Sequence, residues 1–167
     1  MTTGDTALWE SLVSMEQSAA KLRAAVNNSS TRIEMLTAAL RVEASVWDQG
    51  AALNFLRLFT RDVSQFVPQI FGFAVSGRWE REAREVLAAG PRGEVLPEVI
   101  RRAAEYLPRP DVEDYLQLAS ILASLESAEA LAGVASDAMA SSDPEIQEAG
   151  TFIRQQYANI IGMGFYE

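Results

Sequence analysis

Closely spaced carboxylates are the side chains of this sequence that could perform chemistry. Glu145 and Glu148 are three residues apart, so on a helix they share a face and could act as an acid–base pair in hydrolysis. Glu80, Glu82 and Glu85 form a second group, whose oxygens could hold a metal ion.

The composition and the neighbouring residues argue against both the acid–base pair and the metal site. The chain has no histidine and no cysteine, which removes the commonest general base, the commonest transition-metal ligand and all thiolate chemistry. Arginines 78, 81 and 84 are interleaved with the glutamates at 80–85, which predicts a solvated, salt-bridged helix face. The serines at 29, 30, 141 and 142 have no base to activate them, and no glycine-rich phosphate loop is present. We therefore expect no enzyme activity, no cofactor and no metal site.

The carboxylates lie on elements that the hydrophobic spacing predicts to be helices. A first helix carries a stripe in steps of four and three: Leu8, Leu12, Met15, Ala19, Leu22 and Val26. A second helix, with Ile33, Leu36, Leu40, Ala44 and Trp47 on its inner face, is expected to form an antiparallel hairpin with the first, and Gly50 to end it. No segment alternates with period two for long enough to predict a strand, so we expect an all-α chain of about eight helices.

Residues 51–75 are apolar on nearly every side, which is typical of a helix buried by several neighbours. Pro68 is expected to split or kink this segment. We interpret it as the middle of the core, and the alternative is a phenylalanine-lined ligand pocket. The expected organisation is one domain over 1–167, in which residues 1–75 supply the hairpin and the aromatic-rich core segment and residues 76–167 supply shorter helix pairs.

Two of these later helices begin in the same way. Asp143 is a good N-cap, and Pro144 fits the first helical position, where no backbone donor is missed. The pattern at "RPDVEDYLQLASIL" matches it after a shift of thirty, which aligns Ala119 with Ala149, and the preceding helices match after a shift of thirty-two. Repeated helix pairs with a small residue at the crossing predict an α-solenoid fragment. Residues 76–160 resemble HEAT-type repeats, which implies stacked antiparallel helix hairpins.

Negative charge is concentrated in the second half of the chain. The net charge is −9, of which residues 76–167 contribute −8. Between Arg109 and Arg154 there is no basic residue, and nine acidic residues occur. Such a surface repels phosphate backbones, so direct nucleic-acid binding is not expected, whereas a basic protein would be attracted.

Some of these carboxylates occupy first turns, where they complement the helix dipole. Because helices in a stack of hairpins alternate in direction, both acidic helix starts should lie on one edge, together with the end of the helix between them. This predicts an acidic ridge that binds a protein partner, formed by Asp111, Glu113, Asp114, Asp137, Asp143 and Glu145. The other interpretation is a solvated surface with no partner.

Size, acidity and the helix pairs ending in "SLESAEALAGVASDAMASSDPEIQEAGTFI" resemble the small helical immunity proteins of bacterial polymorphic and contact-dependent toxin systems. The resemblance implies a protein that binds and blocks a cognate toxin without a cofactor, and an acidic ridge would suit a basic nuclease toxin. The alternatives are a helical-repeat adaptor or regulatory scaffold and a small-ligand binder that uses the phenylalanine-rich segment.

The location of the protein follows from its apolar segments. The start lacks a basic stretch followed by an apolar core, and the most apolar run, residues 63–75, is shorter than the ~20 residues that cross a bilayer. We expect a soluble cytoplasmic protein with no membrane contact. The C-terminal Met163, Phe165 and Tyr166 are expected to fold back and cap the last helix pair, with a partner-binding tail as the alternative.

Overall fold

The computed structural model describes residues 3–106 and 111–163. These residues form ten α-helices and one 3-10 helix, with no strand among them, so the expected all-α fold is confirmed. The helices are α1 Thr3–Asn27, α2 Arg32–Ala39, α3 Val46–Leu58, α4 Val67–Val75, α5 Glu80–Ala89, α6 Arg92–Tyr106, α7 Val112–Ser124, α8 Ala128–Met139, α9 Pro144–Gln156 and α10 Ala158–Met163, and the 3-10 helix is Thr60–Phe66.

The centre of the core is the segment that the sequence marks as apolar on all sides. Leu53, Leu56, Val67 and Ile70 are fully buried, and Phe55 stacks on Phe59 with ring centroids 4.7 Å apart. The 3-10 helix separates α3 from α4, and α4 starts with Pro68 in its first turn, where the missing N–H leaves no acceptor unpaired. The helix α4 then packs against α5, α6 and α7, so this segment connects the two halves of the chain.

The hairpin expected for the first two helices is wrong. The helix α2 ends at Ala39, and Ser45 caps a new helix by accepting a hydrogen bond from the backbone N–H of Asp48 at 3.1 Å. Trp47, expected on an inner face, is 87% exposed. Within the described residues no helix packs extensively against α1, and its stripe faces outward. The break at residues 40–45 limits α2 to eight residues, which is too short to cover the stripe of the 25-residue α1.

Gly50, expected to end a helix, lies inside α3. A Cβ atom at Gly50 would be 2.7 Å from Cη2 of Trp79, so the glycine admits the indole ring against the helix backbone. The Trp79 Nε1–H donates to Oε1 of the buried Gln49 at 3.1 Å, and Gln49 Nε2 donates to the carbonyls of Arg41 and Val42. These bonds attach α5 and the 40–45 break to α3.

The end of α1 is anchored to the core through one arginine. Arg32 donates from Nε to Asp62 Oδ2 at 2.6 Å and from Nη2 to Asp62 Oδ1 at 3.2 Å, and its Nη1 donates to the carbonyl of Asn27. The Asp62 side chain is only 5% exposed. This bidentate pair therefore joins α1, α2 and the 3-10 helix.

The helices α7 to α10 form the second half of the described chain. The most extensive packing is between α8 and α9, while α7 contacts both and α10 contacts α8. The aligned alanines of the proposed repeats, Ala119 and Ala149, are both buried, but Phe152, aligned with Leu122, is 51% exposed. The helix α6 packs mainly on α4 and the 3-10 helix. The HEAT-like stacking thus stays a prediction.

Candidate functional site

The acidic ridge begins at the start of α7 with a capping box. Asp111 Oδ1 accepts a hydrogen bond from the Asp114 backbone N–H at 2.9 Å, and Asp114 Oδ2 accepts one from the Asp111 N–H at 3.1 Å. These bonds satisfy two backbone donors that a helix start leaves unpaired. At the start of α9, Asp143 Oδ1 accepts from the Glu145 N–H at 2.9 Å. Three of the six ridge residues therefore stabilise helix ends.

The other three ridge residues have no such role. Glu113, Asp137 and Glu145 are exposed, and their side chains make no hydrogen bond or ion pair with another described residue. Glu113 and Glu145 lie in first turns, where the helix dipole stabilises negative charge. Asp137 lies in the last turns of α8, where the dipole disfavours it. The stability of α8 therefore does not explain why a carboxylate occupies this position.

The structure brings Asp137 close to the first turns of α7. Asp137 and Tyr115 line one cleft of about 310 Å³ between α6, α7 and α8. Burial raises the pKa of the Tyr115 phenol, and the negative charge of Asp137 raises it further. The helix α9 begins five residues after α8 ends, and it crosses α8 where Gly150 approaches Ala135 and Met139. No hydrogen bond joins the α9 carboxylates to those of α7 among the described residues.

Ion pairing differs sharply between the two parts of the described chain. Every ion pair found in it joins residues between Glu16 and Glu105. Residues 111–163 hold nine carboxylates and a single arginine, Arg154, and none of them is in an ion pair. The negative charge of α7–α9 is therefore not neutralised within the described chain, although arginines are abundant elsewhere.

The glutamate group at 80–85 forms the salt-bridged face that the interleaved arginines predict. Glu85 pairs with Arg57 at 3.0 Å and with Arg81 at 3.8 Å, while Glu82 pairs with Arg81 at 3.2 Å. A backbone hydrogen bond and the charge of Arg81 lower the pKa of Glu82 below its usual 4.5. Glu80 accepts a hydrogen bond from Gln117 at 3.2 Å. These contacts tie α5 to α3 and α7.

A larger cleft, of about 820 Å³, lies beside the aromatic-rich segment, for which the sequence left a phenylalanine-lined ligand pocket as the alternative interpretation. Its wall includes Phe73 and Trp79, and Arg41, Glu43 and Arg78 supply its charges. The other core phenylalanines, at 55, 66 and 71, are buried and do not line it. The sequence did not indicate the other side of this cleft, which residues 40–49 form about thirty residues away along the chain.

The described residues contain neither a metal-binding cluster nor a membrane-spanning helix. No group of three or more acidic side chains in residues 3–106 and 111–163 is arranged to hold a metal ion. None of the helices described here combines the length and apolarity that crossing a membrane requires. The C-terminal cap expected from Phe165 and Tyr166 falls outside the described residues. No family model, curated protein or solved structure matches this chain.

Proposed function

We propose that the chain is a non-catalytic protein-binding module that docks a basic protein on the acidic ridge. The proposal rests on the unpaired negative charge of α7–α9. Residues 111–163 contain nine carboxylates and one arginine, and none of these residues is in an ion pair. A basic partner would supply the missing counter-charges and would be steered to this face over long range. The same field repels nucleic acids, so the partner is a protein.

The most specific form of this proposal is an immunity protein that binds and neutralises a cognate bacterial toxin in the cytoplasm. A basic nuclease domain fits the ridge best, because its nucleic-acid site must itself be positive. The position of Asp137 supports the proposal, since its carboxylate lies at a helix end that disfavours it and beside the first turns of α7. In this proposal α7–α10 form a short HEAT-like stack that presents both helix starts on one edge.

The test uses variants that keep the helix caps. Because Asp111, Asp114 and Asp143 hold helix starts, the ridge variant reverses only the uncapped carboxylates, as Glu113→Lys/Asp137→Lys/Glu145→Lys. The control variant reverses three exposed glutamates outside the ridge that form no ion pair, as Glu34→Lys/Glu43→Lys/Glu94→Lys. Both variants change the net charge by the same amount.

The partner is captured from extracts of the cells that make the protein, and its affinity for each variant is measured by calorimetry. We expect the ridge variant to lose at least about a hundredfold in affinity, since each close charge pair is worth about 1.5 kcal/mol or more. The control variant should lose less than about fivefold. Equal losses in the two variants would show that net charge alone, and not the ridge, attracts the partner.

A second candidate, the small-ligand binder, is favoured by the 820 Å³ cleft, whose size lies in the range of small-molecule sites. The arginines 41 and 78 at this cleft are in no ion pair, which suits an apolar ligand with a carboxylate. Purified protein would be screened against such acids by thermal shift. Stabilisation that is lost in Arg41→Ala/Arg78→Ala would favour this function, and no shift with any acid would leave only the protein-binding proposal.

A further inference from the structure

From Leu8 to Leu22 the helix α1 presents an apolar stripe that the core of the described chain does not cover, whereas Val26 at its end is half-buried against that core. Its 25 residues make it about 37 Å long, the longest helix of the structure. Leu8, Met15 and Leu22 are 73%, 70% and 68% exposed, and Leu12 is 48% exposed. A helix in water retains a continuous apolar stripe of this length only when another apolar surface covers it.

The total exposed surface indicates how much area is available for such a cover. The chain exposes 10323 Å², whereas a compact monomer of 18.3 kDa exposes about 8,100 Å². The excess is about 2,200 Å². A stable interface between two proteins removes about 800 Å² from each partner. The surplus belongs to the whole chain, and it is large enough to include the area that α1 would bury in a dimer.

The spacing of the stripe specifies a helical partner. The stripe residues follow one another in alternating steps of four and three, the repeat that keeps a seam facing a second helix. The order of these steps is the same when it is read in the opposite direction along the helix. An antiparallel second copy centred on Gln17 therefore pairs the uncovered stripe positions: Leu12 with Leu22 of the second copy and Met15 with its Ala19, each pair occurring twice. Leu8 lies at the end of the pair, next to Val26 of the second copy, which is half-buried against its own core.

The charges of α1 favour the same direction. The acidic residues Asp5, Glu10 and Glu16 precede the basic residues Lys21 and Arg23 along the helix. An antiparallel pair brings the acidic half of each copy alongside the basic half of the other and also opposes the two helix dipoles. A parallel pair would align like charges along its whole length.

We infer that two copies of this chain associate through α1 as an antiparallel helix pair. The pair buries the stripe of each copy against the stripe of the other, and the two cores lie at opposite ends of it, each attached through its own Arg32–Asp62 anchor. The inference is independent of the acidic ridge, which lies on α7–α9. Loss of the basic partner would not affect it.

The first experiment compares two single-charge variants by sedimentation equilibrium at micromolar concentrations. Leu12→Glu places a carboxylate in the seam, whereas Gln17→Glu adds the same charge on the opposite side of α1. We expect a dimer for the wild type and for Gln17→Glu, and a dissociation constant raised about tenfold or more for Leu12→Glu, with unchanged circular dichroism. A monomeric wild type, or equal effects of the two variants, would overturn the inference.

The second experiment tests the register, using the absence of native cysteine. Leu12→Cys chains uniformly labelled with ¹⁵N and unlabelled Leu22→Cys chains are mixed and oxidised, and the crosslinked products, which then differ in mass, are quantified by mass spectrometry. The antiparallel register places position 12 opposite position 22 of the second copy, so the mixed disulfide should predominate over both homodimers. Predominance of the 12–12 and 22–22 disulfides would indicate a parallel pair and would contradict the proposal.

Discussion

Gly150 controls how closely α9 approaches α8, and replacing it with alanine tests the packing of the acidic helices. A Cβ atom at this position would be 2.7 Å from the backbone nitrogen of Met139 and 2.9 Å from the carbonyl oxygen of Ala135. Ordinary van der Waals contact begins at 3.4 Å, so the first contact is about 0.7 Å too short. Both neighbours are backbone atoms, which no change of rotamer can move, and the two helices must separate.

The expected magnitude follows from two opposing effects. Alanine inside a helix is favoured over glycine by about 1 kcal/mol, whereas overpacking a close contact costs about 1–3 kcal/mol. Since the contact is with rigid backbone, we expect the upper end of that range and a net loss of about 2 kcal/mol for Gly150→Ala. Gly133, inside α8, is the matched control, because a Cβ atom there meets nothing within 4 Å. Gly133→Ala should therefore gain about 0.5–1 kcal/mol.

The assay is urea denaturation followed by circular dichroism, with thermal melts as a second measurement. We expect the melting temperature to fall by about 4–8 °C for Gly150→Ala and to rise by about 1–4 °C for Gly133→Ala. If both variants were stabilised by the same amount, α8 and α9 would not be in close contact at Gly150. The packing that positions the α9 end of the ridge would then be wrong.

Three further variants test other parts of the structure by urea denaturation. Arg32→Met leaves the buried Asp62 carboxylate without its main counter-charge and should lower the free energy of unfolding by about 3 kcal/mol. A decrease below about 1 kcal/mol would contradict the role of this ion pair as an anchor. Hydrogen bonds from Arg101 hold the pKa of Glu98 below 4.5, so Glu98→Gln should be less stable than the wild type at neutral pH. That difference should disappear as the pH falls through the lowered pKa, and a difference that does not change with pH would refute this cause. Ser45→Ala removes the N-cap of α3 and should lower the free energy of unfolding by about 1 kcal/mol. An unchanged free energy of unfolding would show that this cap does not stabilise α3.

Local signals predicted part of the fold. The Asp-Pro start of α9 and the acidic start of α7 were predicted because an N-cap involves only a few consecutive residues. The core position of residues 51–75 followed from their apolar character on all sides. These features depend on hydrophobicity and on hydrogen bonds within one turn, which a sequence displays directly.

Features that depend on long-range approach were not predicted. Gly50 resembles a helix breaker in the sequence, yet it lies inside α3, where the distant Trp79 packs against it. The close approach of α8 to Gly150 likewise has no local signal in the sequence. The stripe of α1 has the spacing of a buried helix face, and spacing cannot tell whether the covering surface belongs to the same chain. For the same reason, the sequence predicted the charges of the ridge and placed Asp137 on its edge, but it did not predict the cleft that Asp137 and Tyr115 line.

Co-purification from the cells that make this protein tests the central claim, that the uncompensated carboxylates of α7–α9 bind a basic protein. The tagged protein is washed at low salt and then at high salt, and the bound proteins are identified by mass spectrometry. The account predicts one stoichiometric basic partner that high salt releases, because the attraction between exposed charges is screened. Several weak partners would favour an adaptor, and a partner that stays bound at high salt or has no basic surface would contradict docking on the ridge.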